Sequence, residues 1–190
     1  MIVALCSGEG RTFDGVRRML GHQVTHMITN VEKAPVLKKA QTLGVSSHCV
    51  PHSACASREQ HEQLLLLQLK QCTPFKFILL LGYMRVLSAQ FLQTVNSLWP
   101  ECVMLNLHPA PLSLYKGAHG LRHAIRTRVP IWGISVHEVT SQLDNGPVIA
   151  YKPMPVYPTD TFEKIRERAH PIEVYAVLEA IDIISRRPQR

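Results

Sequence analysis

Long apolar runs, paired cysteines, aromatic residues and acids are all scarce in this chain of 190 residues. The longest apolar run, around Phe77 to Leu81, is strand-sized and far short of the roughly 18–20 residues of a membrane span. Before Ser7-Gly8-Glu9 only Ile2 to Cys6 is apolar, with no basic region ahead of it. Neither a membrane segment nor a signal peptide is therefore expected. The five cysteines (Cys6, Cys49, Cys55, Cys72, Cys102) are odd in number and scattered. That pattern suits reduced thiols in a cytoplasmic protein better than a disulfide framework. Repeats, linkers and low-complexity tracts are absent from the sequence. Acids number 14 against 21 lysines and arginines, a formal charge of +7. Such an excess favours anionic ligands: phosphate esters, polyglutamate tails or nucleic acid. Much of it lies in short clusters at Arg17-Arg18, Lys38-Lys39 and Arg186-Arg187-Pro-Gln-Arg190. Aromatic residues make up 6% of the chain and none interleave with these clusters. A stacking platform for single strands is thus missing, and nucleic-acid binding is the weaker reading.

What the chain does have is apolar residues, 46% of the total. At this length they suffice for the core of one domain. The most informative stretch runs from Met104 to Ile149. Met104-Leu-Asn-Leu-His108 reads as a buried strand delivering Asn106 and His108 to one face, with Leu105 and Leu107 on the other. Pro109 and Pro111 end the strand, because proline cannot donate to a sheet ladder. An amide and an imidazole thus sit at a strand exit, where open α/β sheets place ligands. Further on, Asp144 supplies an acid in a polar break between the strands Trp132–Val139 and Pro147–Val156. His119, His123 and His137 read as packing or capping residues, with His137 placed to satisfy a backbone group.

The spacing predicts further elements. Ile2–Cys6 is a strand, followed by the turn Ser7-Gly8-Glu9-Gly10-Arg11-Thr12. A helix then carries Phe13, Val16, Met19 and Leu20 at helical spacing. Strand, glycine turn and helix start form a ready anion site, with Thr12 as cap and Arg11 as charge. The dinucleotide fingerprint fits poorly, since its third glycine would fall at Phe13. Val24–Thr29 is a strand, 35–43 a helix, and His48–Pro51 a short strand. His48, Cys49, His52 and Cys55 invite a zinc reading. All four come from eight consecutive residues without a second ligand pair, so a plain loop is preferred and no metal is expected. A helix from Ser57 to Gln71 is expected to turn the leucines of 64–67 and Leu69 inward. Phe75–Leu81 follows as a strand covered on both faces. Ser88 caps a helix over Gln90–Asn96, and Leu121–Arg126 is helical. Asp160 caps a last helix, which Pro171 kinks or divides.

Three motifs carry a resemblance. They are Asn-x-His-Pro at 106–109, Leu-Asp-x-Gly-Pro-Val-Ile at 143–149 and Gly-Tyr-Met-Arg-Val-Leu-Ser at 82–88. Together they resemble the folate-dependent formyltransferase family, over nearly the whole chain from Ile2 to about Ile184. The resemblance implies a single α/β domain over 1–190, with a mostly parallel twisted sheet, helices on both faces and a Rossmann-like fold. Residues 1–100 would form the acceptor-phosphate half, and 101–190 the catalytic and folate half. It implies transfer of a formyl group from 10-formyltetrahydrofolate, as co-substrate, to the amine of a small phosphorylated acceptor. Glycinamide ribonucleotide of purine biosynthesis is the first candidate. Amino-sugar nucleotides, other amines or a non-catalytic folate-binding role are the alternatives. Asn106 would stabilise an oxyanion, His108 would move protons, and Asp144 would keep it charged and oriented. Arg58, Met84, Arg85, Val86, Leu87, Val139 and Thr140 would hold the folate. Gly8, Gly10, Arg11, Thr12, Gly82, Pro109 and Glu173 would hold the acceptor. The family's phosphate turn is typically Gly-Ser-Asn; here Gly10, Arg11 and Thr12 stand there. No metal is implied, and nothing specifies an oligomeric state.

Overall fold

A computed structural model describes residues 1–72, 74–117 and 119–187. Arg190 of the C-terminal basic cluster lies outside the described residues. Seven strands and six α-helices are found among them: β1 (Ile2–Cys6), α1 (Arg11–Leu20), β2 (Val24–Thr29), α2 (Val36–Thr42), β3 (Ser46–Cys49), α3 (Arg58–Gln71), β4 (Phe77–Leu80), α4 (Ala89–Leu98), β5 (Val103–His108), α5 (Gly120–Thr127), β6 (Ile131–Glu138), β7 (Val148–Pro155) and α6 (Phe162–Ser185). This is the expected α/β class, with a mostly parallel sheet. The third strand lies two residues earlier than expected. No helix among the described residues is long and apolar enough to cross a membrane.

The chain divides into two compact units, Met1–Leu105 and Asn106–Arg190. Strand β5 spans the division. In the first unit the strand order is β3-β2-β1-β4-β5. The β1–β2, β1–β4 and β2–β3 pairs are parallel. Strand β1 is fully buried, as its run of apolar residues dictates. Helix α1 begins one residue after Gly10, which takes a left-handed φ of 64° and caps the helix without a side chain. A Cβ at Gly10 would lie 2.3 Å from Val36 Cγ2, so both space and dihedral demand glycine. Thr12 is therefore the second helical residue and not the cap. Phe13 and Val16 are buried, whereas Met19 is exposed.

Helix α3 corrects the leucine stripe. Leu65 and Leu69 are buried one turn apart, while Leu64 and Leu67 face solvent. Four consecutive leucines span every side of a helix, and only an i, i+4 row can face one core. The inner row is completed by His61 and Glu62. His61 Nε2 lies 3.0 Å from Val50 O, and Glu62 accepts from the Ser88 N–H at 2.7 Å. Ser88 also caps α4 by accepting from the Phe91 N–H, as its position predicted.

In the second unit β5, β6 and β7 adjoin in that order, and β6–β7 is antiparallel. Helix α6 packs on β6, β7 and α5. It runs unbroken for 24 residues through Pro171, so proline does not divide it. Its cap is Thr161, whose hydroxyl accepts from the Lys164 N–H, and not Asp160. Asp160 instead takes both prongs of the Arg168 guanidinium, at 2.6 and 2.8 Å. All five cysteines are free. Cys6, Cys72 and Cys102 are buried, Cys55 is half-buried and Cys49 is exposed.

Candidate active site

Strand β5 ends where the sequence places its polar pair. Leu105 and Leu107 are buried, His108 is buried, and Asn106 is half-buried. Pro109 and Ala110 are then fixed by β6. Trp132 Nε1–H donates to Pro109 O at 3.0 Å, and Ser135 Oγ donates to Ala110 O at 2.8 Å. Ser135 Oγ also accepts from the Leu112 N–H at 3.2 Å. One buried hydroxyl thereby satisfies two backbone groups of the segment that follows His108.

Asp144 enters from the β6–β7 connection with a left-handed φ of 49°. The neighbouring Gly146 leaves no room for a side chain: a Cβ there would meet Glu138 O at 1.8 Å. Asp144 is buried, and its Oδ2 accepts from the Gly117 N–H at 2.6 Å. Oδ2 also stands 3.7 Å from His108 Nδ1, and Oδ1 stands 3.6 Å from His137 Nε2. Both are ion-pair distances and too long for hydrogen bonds. Interaction with the His137 side chain, then the Gly117 N–H and the charges of both imidazoles, holds the Asp144 carboxyl below its ordinary value. Burial opposes this and does not prevail.

His108 has both ring nitrogens aimed at acceptors. Nε2 donates to Tyr115 O at 2.7 Å, and Nδ1 faces Asp144. The sequence leads one to expect a free N–H aimed at the reacting carbonyl. In this conformation the Tyr115 carbonyl takes it, and Tyr115 is held in turn by its ring against Trp132, with centroids 4.7 Å apart.

His137 satisfies a backbone group, as its place in the sequence leads one to expect, and also meets Asn106. Its Nδ1 does lie 2.9 Å from a backbone carbonyl, that of Glu138. In the neutral ring that bond places the proton on Nδ1 and the lone pair on Nε2, whereas a proton on Nε2 would face Asp144 Oδ1. Asn106 Nδ2 stands 3.0 Å from this Nε2 and donates to it. One amide hydrogen is thus consumed and the other is left with a defined direction. The signal available in the sequence was that Ser135 and His137 are polar residues buried in the apolar stretch from Ile131 to His137 of β6.

The remaining expected residues fall in two groups. In the first unit lie Gly8, Gly10, Arg11, Thr12, Arg58, Gly82, Met84, Arg85, Val86 and Leu87. In the second lie Pro109, Val139, Thr140 and Glu173. The residues expected to hold folate are thus divided between the units, with Arg58 and 84–87 in the first. Ser7, passed over in the sequence, ties the glycine turn to the 82–88 segment. Its N–H donates to Gly82 O at 3.1 Å, its Oγ accepts from the Met84 N–H at 2.8 Å, and its Oγ–H donates to Asn30 Oδ1 at 2.5 Å. Met84 and Val86 are largely exposed, and Leu87 is buried. Arg58 is exposed and pairs weakly with Glu59 at 3.9 Å. The His48, Cys49, His52, Cys55 group does not converge: Cys49 is exposed, and His52 Nδ1 lies 2.8 Å from Asn30 O.

An amide, two imidazoles and a carboxylate gathered at the exit of a sheet strand define an α/β protein with a buried acid–base cluster. A family model for formyl transferases matches residues 1–181. The chain belongs to that family. Phosphoribosylglycinamide formyltransferase of Escherichia coli (strain K12) is 31% identical over 172 residues, covering 88% of this chain and 78% of that protein. The protein of the same description from Dictyostelium discoideum is 28% identical over 200 residues and covers 97% of both. Among solved structures, phosphoribosylglycinamide formyltransferase from Streptococcus pneumoniae TIGR4 matches with a TM-score of 0.86 at 27% identity, covering 97% of this chain and 98% of that one. The Brucella melitensis structure of that description gives 0.85 at 28% identity, covering 100% of this chain and 97% of that one.

Proposed function

We propose that the protein transfers the formyl group of 10-formyltetrahydrofolate to the primary amine of glycinamide ribonucleotide, a step of purine biosynthesis. The observation that carries this reading is the buried cluster of Asn106, His108, His137 and Asp144, set in a chain similar over most of its length to phosphoribosylglycinamide formyltransferases.

The chemistry follows from those groups. The acceptor amine attacks the formyl carbon, a C–N bond forms, and the carbonyl oxygen becomes an oxyanion. Asn106 Nδ2 keeps one N–H for that oxygen while its other is held by His137. A positioned donor of this kind is worth about 3–4 kcal/mol in the transition state. Collapse breaks the bond to folate N10. His108 gives N10 the proton it needs, exchanging the Tyr115 carbonyl for the reacting atoms, and regains one that the amine loses. Asp144 stays ionised through the cycle, because its lowered pKa keeps it negative when the imidazole is charged. The amine is itself the nucleophile, so no cysteine is needed.

The rest of the substrate set is assigned to match. Gly8, Gly10, Arg11 and Thr12 are assigned to the acceptor phosphate at the start of α1, beside its first intrahelical bond, Asp14 N to Gly10 O at 3.0 Å. Gly82, Pro109 and Glu173 complete the acceptor contacts. Exposed Met84 and Val86 are assigned to the pterin, as are Arg85, Leu87, Val139 and Thr140; Arg58 is assigned to the glutamate tail. The test is a spectroscopic assay with 10-formyltetrahydrofolate and glycinamide ribonucleotide. Acceptor-dependent release of deformylated folate is expected. Folate binding without such release would reject this acceptor and direct the search to amino-sugar nucleotides.

A further inference from the structure

The first unit holds a second cluster of chemically capable side chains, built by residues that the transfer reaction does not use. The parallel register of β2 and β3 sets His26 beside Ser46. His48, two residues on, therefore projects from the same face as His26. The two rings stack, with centroids 5.9 Å apart and planes 20° from parallel. Cys72, the C-cap of α3, brings a buried thiol to the same place. A donor atom from each of His26, His48 and Cys72 lies within 4.8 Å of the other two. No other such set of three is found among the described residues.

We propose that His26, His48 and Cys72 bind a thiophilic divalent cation of the zinc class, with three protein ligands and a fourth position left to water. Two imidazoles and a thiolate are the borderline-soft donors that such an ion selects over magnesium or calcium. Around a tetrahedral zinc, donor atoms stand about 3.3–3.6 Å apart, given bonds of about 2.0–2.3 Å, so side-chain rotation of about an ångström closes the set. The ring orientation is already prepared. Thr25 Oγ1 donates to Ile2 O at 3.3 Å, which leaves its oxygen to accept from His26 Nδ1–H at 3.0 Å. The lone pair of His26 is thereby on Nε2. A ligating histidine whose other nitrogen is tied to a fixed oxygen is the usual arrangement at metal centres. His48 Nε2 has Ser46 Oγ at 3.3 Å as a partner of the same kind.

Cys72 donates its S–H to Gln68 O at 3.2 Å. Binding replaces that proton: the S–H bond breaks, an S–metal bond forms, and one proton leaves to solvent. The ion would clamp β2, β3 and the end of α3. The plain alternative is a histidine on the edge strand β3 beside one on its neighbour β2, above a small buried residue.

The experiment uses the full chain freed of metal with a chelator. Zn²⁺ alone is titrated against a chromophoric competitor, and Co²⁺ is added separately as a spectroscopic probe. One zinc per chain and a thiolate-to-cobalt charge-transfer band are expected. Cys72→Ser should abolish the band and weaken zinc by more than the roughly 10–100-fold that loss of an outer partner costs. His48→Gln, at a half-exposed position that leaves the core intact, should weaken zinc likewise. Cys49→Ser, on the exposed neighbour outside the set, should leave both readouts unchanged. Sub-stoichiometric zinc, or binding and spectrum unaltered in Cys72→Ser and His48→Gln, would overturn the proposal.

Discussion

His137 is buried, bonded to Asn106 at 3.0 Å and 3.6 Å from Asp144, so its replacement tests how the catalytic cluster is organised. In His137→Ala the amide of Asn106 loses its fixed acceptor. If the only loss were that hydrogen bond, the net effect would be about 0.5–1.5 kcal/mol, or roughly a few-fold to tenfold in rate. If Asn106 swings out of line, the loss approaches that of a whole oxyanion donor, about 10²–10³ in kcat. The expected value lies between these limits, with KM for both substrates little changed, because the defect appears in the transition state. Asn106→Ala should lie at the upper limit. The double variant should then be no slower than Asn106→Ala alone, since an orienting residue has nothing left to orient. His137→Gln, whose amide oxygen can accept from Asn106, should recover part of the rate. A second readout comes from Asp144, which loses its largest acid-lowering partner in His137→Ala. Its carboxyl pKa must rise, and the acid limb of kcat/KM must move to higher pH. The assay is the formyl-transfer reaction followed spectroscopically, with thermal melts to confirm folding. Rate losses that multiply in the double variant, or an acid limb that stays in place, would refute this account of the cluster.

Other expectations follow from the geometry. Gly10→Ala combines a left-handed φ of 64° with a Cβ 2.3 Å from Val36 Cγ2, so it should cost about 2–5 kcal/mol in urea unfolding; near-native stability would mean that α1 and Val36 shift freely. Ser135→Ala leaves the Leu112 N–H and Ala110 O without their buried partner and should cost about 1–3 kcal/mol, measured the same way. Asp160 is held at about 2, below its ordinary 3.8, chiefly by the Arg168 guanidinium. Its contribution is therefore fully present above pH 3.8 and lost as pH falls toward 2. Asp160→Asn should flatten acid unfolding over that window; an unchanged profile would show that the pair contributes nothing to folding.

Asn106 and His108 could be paired in the sequence because their geometry is local, and Asp144 joined them through the resemblance to formyltransferases. Asn106 and His108 are two apart on one strand, ended at once by proline, and Asp144 sits in an evident break. His137 could not be placed, because its meaning depends on a partner 31 residues away. Nothing in its neighbourhood separates a backbone-satisfying histidine from one that also orients an amide, and it does both. Strand β2 was read to the residue, since Val24, Met27 and Ile28 lie between polar His22-Gln23 and Asn30. The leucines of α3 misled because composition was read in place of angle. Pro171 misled for a related reason: it removes one hydrogen-bond donor, and the apolar residues Val174, Ala176, Val177 and Ala180 beyond it hold the helix on its packing surface regardless. At Thr161 and Asp160 two good capping residues stand side by side, and the Arg168 guanidinium claims the aspartate.

The uneven burial of the five thiols gives the molecule a built-in reporter of its own opening. Burial pushes the Cys6 thiol far up and that of Cys102 to about 12, so neither presents a thiolate or a path to a reagent while the fold is closed. Cys49 is exposed and reacts from the native state. Alkylation followed residue by residue therefore separates two clocks, one set by the chemistry at Cys49 and one by the rate at which the buried segments carrying Cys6 and Cys102 open. A bound substrate should slow the second and leave the first running.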